Sequence, residues 1–146
     1  MTDINFYVSK QEGLENRLNI AYRLVNLAIS RGLKIHILTD NIETSKQIDA
    51  LLWSKEQASF IPHAIVNIES DQNHPELQNQ INISHDFEPL HDCDYLINLS
   101  NLRPAFFSRF LKVAEILDNN EEILTAGRKR YSFYRDRGYT LEYHKL

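Results

Sequence analysis

Apolar residues along this chain keep two rhythms. The short runs INFYVS (4–9), LKIHILT (33–39) and DYLINLS (94–100) are rich in β-branched, aliphatic and aromatic residues and predict buried strands. Between the first two, Leu14, Leu18, Ala21, Tyr22, Val25, Ala28 and Ile29 recur at three- and four-residue steps. That spacing puts them on one face of a helix, which Gly32 stops. Asp40 or Asn41 can cap a second helix through Ile48, Leu51 and Leu52. Strand, helix, strand, helix is the order that builds a parallel sheet with helices on its faces.

The middle is less regular. Pro62, Pro75 and Pro89 interrupt it, and AIVNI (64–68) and INIS (81–84) predict short strands. RPAFFSRFLKVAEIL (103–117) fits a helical turn followed by a strand about as well as one helix; the reading adopted is a turn around Pro104 to Phe107 and a strand from Phe110 to Leu117. Asp118, Asn119 or Asn120 can cap a helix with Glu121 and Glu122 in its first turn, where carboxylates suit the positive end of the dipole. It runs to Gly138 and is followed by a last strand, YTLEY (139–143). The expected architecture is one α/β domain over residues 1–146, a Rossmann-like three-layer fold with a mostly parallel central sheet flanked by helices.

Length and composition agree with that picture. A chain of 146 residues with 42% hydrophobic and 25% charged content can bury a single sizeable core. No apolar run approaches the roughly 20 residues of a membrane span, and MTDINFYVSK lacks the features of a signal peptide, so a cytoplasmic location is expected. Cys93 is alone and can form no internal disulfide.

Charge sharpens the question. The formal net charge is -4, yet GRKRYSFYRDRGY (127–139) holds five basic residues and one acid. Taking these from totals of 16 and 20 leaves 11 basic and 19 acidic residues, or -8, for the remainder. An anionic partner must therefore be met locally.

Catalytic and cofactor chemistry finds no support. The four glycines, Gly13, Gly32, Gly127 and Gly138, include no pair spaced for a dinucleotide fingerprint or a Walker loop. The six histidines do not fall at three- or four-residue spacing on a predicted helix, and one cysteine cannot build a structural zinc site. His91 and Cys93 are near neighbours, but a small buried thiol explains that position more simply than a nucleophile does. No cofactor, no metal and no catalytic residue is expected.

Two surfaces remain. In ALLWSKEQASFIPH (50–63) the only tryptophan, Trp53, is followed by Phe60, Ile61 and Pro62. Large aromatics beside an irregular segment suit a protein interface, or else plug the end of the core. On the last helix Leu124, Arg128, Tyr131 and Arg135 share one face, and Arg130, Tyr134 and Arg137 share another. An arginine beside a tyrosine ring suits a peptide's terminal carboxylate and last side chain. Phosphate fits as well, and so does a solvated amphipathic helix. Single-stranded nucleic acid on the basic helix 121–138 is the alternative function.

Four patterns, in order and at spacing, resemble the chi subunit family of bacterial DNA polymerase III, clamp-loader accessory proteins. They are NFY (5–7), ALLW with SFIPH (50–53 and 59–63), DYLINLS (94–100) and RYSFYRDRGYTL (130–141). The resemblance implies a non-enzymatic connector with a Rossmann-like fold. It implies pairing with a psi subunit and binding of the acidic C-terminal tail of single-stranded DNA-binding protein, so that DNA is reached only indirectly. By position it implies Trp53, Phe60, Ile61 and Pro62 as the psi-facing surface, a surface also offered to an accessory repair helicase. Arg128 and Tyr131 match the tail site, with Leu117 in an apolar pocket and Arg135 nearby. Family members carry a lysine where this chain has Leu124, which leaves Lys129, Arg135 or Lys112 to meet the tail's aspartates.

Overall fold

A computed structural model describes residues 1–54, 63–65, 80–85 and 94–146. Phe60, Ile61, Pro62, Pro75, Pro89, His91 and Cys93 lie outside the described residues, as do residues 66–68 of the predicted strand AIVNI. In chain order the elements are β1 (Asp3–Val8), α1 (Leu14–Ser30), β2 (Ile35–Leu38), α2 (Ile42–Ser54), β3 (His63–Ile65), β4 (Ile81–Ser84), β5 (Tyr95–Asn98), a 3-10 turn (Phe107–Arg109), β6 (Lys112–Leu117), α3 (Glu121–Asp136) and β7 (Thr140–Lys145). The strands form one sheet in the order β3-β4-β2-β5-β6-β1-β7. Every pairing in it is parallel.

Side-chain alternation sorts the sheet into two faces. Ile35, Ile37, Ile81, Ile83, Ile97, Ala114 and Ile116 pack with Ile20, Ala21, Val25 and Ala28 of α1 and with Ile48 and Leu52 of α2. Ile4, Phe6, Val8, Leu96, Val113 and Leu117 face the other way, onto Tyr134 of α3, with Phe107 and Phe110 closing the end of that layer. The ambiguous stretch resolves as a turn then a strand, because Val113 and Leu117 fill one layer while Ala114 and Ile116 fill the other.

The helix stops are those the sequence marks. Gly138 takes φ 82°, and the Tyr139 N–H donates to the Tyr134 carbonyl at 3.2 Å, closing α3 with a left-handed residue that favours glycine. The last strand extends past YTLEY to Lys145, and Leu146 N–H still donates to the Val8 carbonyl at 2.8 Å. This places β7 at a sheet edge, beside β1.

Candidate functional site

The position of α3 is fixed at its start. Asp118, directly after β6, accepts from the Gly13 N–H and from Arg17 Nε, both at 3.0 Å, and from the Asn120 N–H at 2.8 Å. Asn120 then caps α3, its Oδ1 accepting from the N–H groups of Glu122 at 3.0 Å and Ile123 at 3.2 Å. Its Nδ2 donates to Glu12 Oε1 at 2.7 Å, so the first turn of α3 is tied to the start of α1. One turn further on, a Cβ on Gly127 would overlap the Leu117 side chain, lying 2.9 Å from Cδ2 and 3.2 Å from Cγ. Glycine inside a helix is unfavourable by roughly 0.5–1 kcal/mol relative to alanine, and here it allows α3 to lie directly on the end of β6.

That close approach shapes a cavity of about 370 Å³ between α3 and the β1–β7 edge of the sheet. Leu117, Leu124, Arg128 and Tyr131, all predicted from the sequence, line it together. The structure adds Phe6, Gly127, Ser132 and Tyr143. Phe6 and Tyr143 are register partners across β1 and β7, and the Phe6 ring meets the Tyr131 ring edge-on at 5.2 Å. Ser132 was readable, being four residues from Arg128 on the same helix face. Tyr143 was not, since only the parallel pairing with β1 brings it in.

The cavity is walled by leucine, phenylalanine and tyrosine, with Arg128 exposed. Among the described residues no carboxylate pairs with Arg128. An apolar recess beside an unpaired guanidinium can take an apolar side chain attached to an anion. Arg135 does not line the cavity; its side chain is 62% exposed and Nε lies 3.4 Å from Asp136 Oδ1. Lys112 opens β6 while Leu117 ends it, which puts Lys112 about 17 Å away along the strand, on the opposite face. Trp53 lies near the C-terminal end of α2 and is 53% exposed.

Arg130 goes inward. Its Nε donates to Glu115 Oε1 at 3.0 Å, Asn98 Nδ2 donates to the same oxygen at 2.9 Å, and the Tyr134 hydroxyl donates to Oε2 at 2.6 Å. Asn98, Glu115, Arg130 and Tyr134 are all buried. Burial pushes the Glu115 carboxyl up from its ordinary range, while the charge of Arg130 and the bonds from Tyr134 and Asn98 hold it down. Burial and the neighbouring Glu115 likewise push the Tyr134 phenol up. Arg130 Nη1 and Nη2 carry no hydrogen bond among the described residues. The helix face assigned to Arg130 and Tyr134 from the sequence is thus the core face. Their common partner, Glu115, was missed because it reads as one charge within an otherwise apolar strand.

Beside this network, on the same face of the sheet, His36 Nε2 lies 2.6 Å from Ser84 Oγ. Its burial depresses the imidazole to about 3, so it stays neutral. Among the described residues no three His, Cys, Asp or Glu side chains are placed to share a metal ion, and no helix is long and apolar enough to cross a membrane.

Among solved structures, T4 UvsW superposes with a TM-score of 0.65 at 10% identity, over 99% of this chain and 41% of that one. An S. cerevisiae dbp5 variant bound to nup159 gives 0.67 at 9% identity, over 97% and 41%. At such identities the likeness concerns the fold alone. In sequence, a DNA polymerase III subunit chi of Pseudomonas aeruginosa is 32% identical over 146 residues, which is 100% of this chain and 98% of the relative. A DNA polymerase III subunit chi of Haemophilus influenzae is 28% identical over 120 residues, 80% of each chain. The family model for the DNA polymerase III chi subunit, HolC, matches residues 1–142, and the chain belongs to that family.

Proposed function

We propose that this chain is a non-catalytic connector of the bacterial replicative polymerase, docking the acidic C-terminal tail of single-stranded DNA-binding protein in the cavity between α3 and the β1–β7 edge. The observation that carries the proposal is the pairing of an apolar cavity of about 370 Å³ with an exposed, unpaired Arg128. The tail's last side chain enters between Phe6, Leu117, Leu124 and Tyr131, and its terminal carboxylate meets Arg128. The second connection, to a psi-like subunit and through the same surface to an accessory repair helicase, uses exposed Trp53 together with Phe60, Ile61 and Pro62.

The test is a titration of a labelled acidic peptide with a free C-terminus. Arg128→Ala should weaken binding by about 1.5–3 kcal/mol, the scale of a hydrogen bond to a charged group. Amidating the terminus should weaken it comparably, and rising salt should do so gradually. Unchanged affinity in the variant excludes the pocket as the tail site. The nucleic-acid reading loses a cation, because Arg130 is committed to Glu115 inside the core.

A further inference from the structure

Phe133 lies on α3 one residue past Ser132, and two arginines from different elements stack on it. Arg103, in the segment between β5 and the 3-10 turn, places Cζ 3.6 Å from the ring centroid. Arg137, at the C-terminal cap of α3, places Cζ at 3.9 Å. Two guanidinium groups at these heights would collide on one face, so they sandwich the ring. Their Cζ atoms are then at most 7.5 Å apart, the 3.6 and 3.9 Å laid end to end.

Among the described residues, neither arginine has a carboxylate partner, and neither does Lys129. By contrast Arg17, Arg130 and Arg135 each face an acid. Stacking on an aromatic ring holds the plane of a guanidinium and leaves its N–H edge free to bind an anion. The ring therefore carries two oriented, unneutralised donors. Asp136 is the one acid lining the adjacent shallow depression, and it pairs with Arg135.

The sandwich is continuous with the peptide cavity. Arg128 and Ser132 line both that cavity and the shallow depression, and Phe133 and Lys129 line the depression. From this continuity we infer that Arg103 and Arg137, held on Phe133, form a second subsite that receives the acidic residues upstream of the docked terminus. The inference rests on the pocket reading given above. Alternate side chains of an extended peptide recur about 6.7 Å apart on one side, within the upper limit on the guanidinium separation. Two carboxylates spaced in that way meet one arginine each. An acidic peptide is favoured over nucleic acid because the cationic surface is short and the chain as a whole has a net charge of -4.

The experiment compares two labelled peptides, one with a run of aspartates ahead of a C-terminal apolar residue and one with those aspartates replaced by asparagine. In the full chain, Arg103→Gln with Arg137→Gln should weaken the aspartate peptide roughly three- to tenfold at low salt, the range for two exposed ion pairs. It should leave the asparagine peptide unchanged. Phe133→Leu, which keeps both charges but removes their support, should give a smaller loss confined to the aspartate peptide. Arg128→Ala should weaken both peptides, so loss there with no loss in the double variant overturns the subsite and leaves the pocket standing. If the double variant does not melt cooperatively, the single substitutions Arg103→Gln and Arg137→Gln replace it, and aspartate-peptide affinity and salt slope unaltered in both overturn the inference. Tighter binding of single-stranded oligothymidine than of the aspartate peptide, abolished by the same substitutions, overturns it in favour of nucleic acid.

Discussion

The sheet has one face built almost wholly of hydrocarbon, with Tyr7 and Tyr95 as its polar members, and one built partly of polar and charged groups. Toward α1 and α2, strands β2, β4, β5 and β6 present Ile35, Ile37, Ile81, Ile83, Ile97, Ala114 and Ile116. Toward the other side the same strands present His36, Ser84, Asn98 and Glu115, each no more than 2% exposed. The first face packs its helices mainly by apolar area, with directed bonds at their N-terminal ends, from Arg17 to Asp118 and between Ser45 and Thr39; packing by area tolerates sliding and repacking. The second holds α3 by directed bonds from Arg130 and Tyr134 to Glu115, by the cap at Asn120 and by the tight seat of Gly127 on Leu117. The apolar cavity and the Phe133 sandwich both lie on α3, so the polar face fixes in place the helix that carries the proposed sites.

The sharpest way to break this comparison is to make similar small changes on each side. Ile97→Val, on the hydrocarbon face, should cost about 0.5–1.5 kcal/mol. Glu115→Gln or Arg130→Met should cost about 3–5 kcal/mol each, because either leaves a buried charge without its counter-charge. The double variant should be more stable than either single one, since no lone charge remains. Urea unfolding measures all four. Equal costs on the two faces, or additivity of the pair, would mean that the ion pair does not hold α3.

Titration separates the faces next, because the groups that shift on the α1/α2 side, the Tyr7 and Tyr95 phenols, are pushed up by burial, away from acid, whereas the other face carries an imidazole and a carboxyl. His36 is depressed from 6.5 to about 3, so the unfolded chain binds a proton that the folded chain refuses. Its share of the stability is fully present above pH 6.5 and is lost as pH falls toward 3, at about 1.4 kcal/mol per unit. Glu115 runs the opposite way. Its carboxyl is raised above its ordinary 4.5, so its share is present below that value and is lost as pH rises through the folded value. His36→Gln should remove the acid-side slope and leave the Ile97→Val profile parallel to that of the parent chain. An unchanged slope would place the acid sensitivity elsewhere.

The two faces also differ in what the sequence discloses. Every element of the apolar layer, from the α1 periodicity to the IHIL and YLIN strands, is written in local spacing, because burial by area needs only a run of suitable residues. The polar layer depends on partners far apart in the chain. Arg130 reads as a surface cation until the β6–α3 packing brings Glu115, 15 residues away, within 3.0 Å of its Nε. Helical spacing was enough to group Leu124, Arg128 and Tyr131, and the structure opens a cavity among them. It could not supply Tyr143 or Arg103, which arrive from β7 and from the segment after β5.

The smallest expected effect concerns Leu124, where the resemblance to chi subunits calls for lysine. Leu124 is half-buried on the cavity wall, one turn before Arg128. In Leu124→Lys the aliphatic stem can keep part of the wall while the ammonium reaches the rim. Beside Arg128 it adds like-charge repulsion within the helix of about 0.2–0.5 kcal/mol. Against an aspartate-rich peptide it adds an exposed ion pair worth about 0.2–1 kcal/mol. Affinity for the aspartate peptide should therefore rise severalfold at most, fade as salt is raised, and stay level for the asparagine peptide. A loss shared by both peptides would instead make Leu124 a contact of the docked side chain, and the polar face would then carry a more apolar pocket than the resemblance implies.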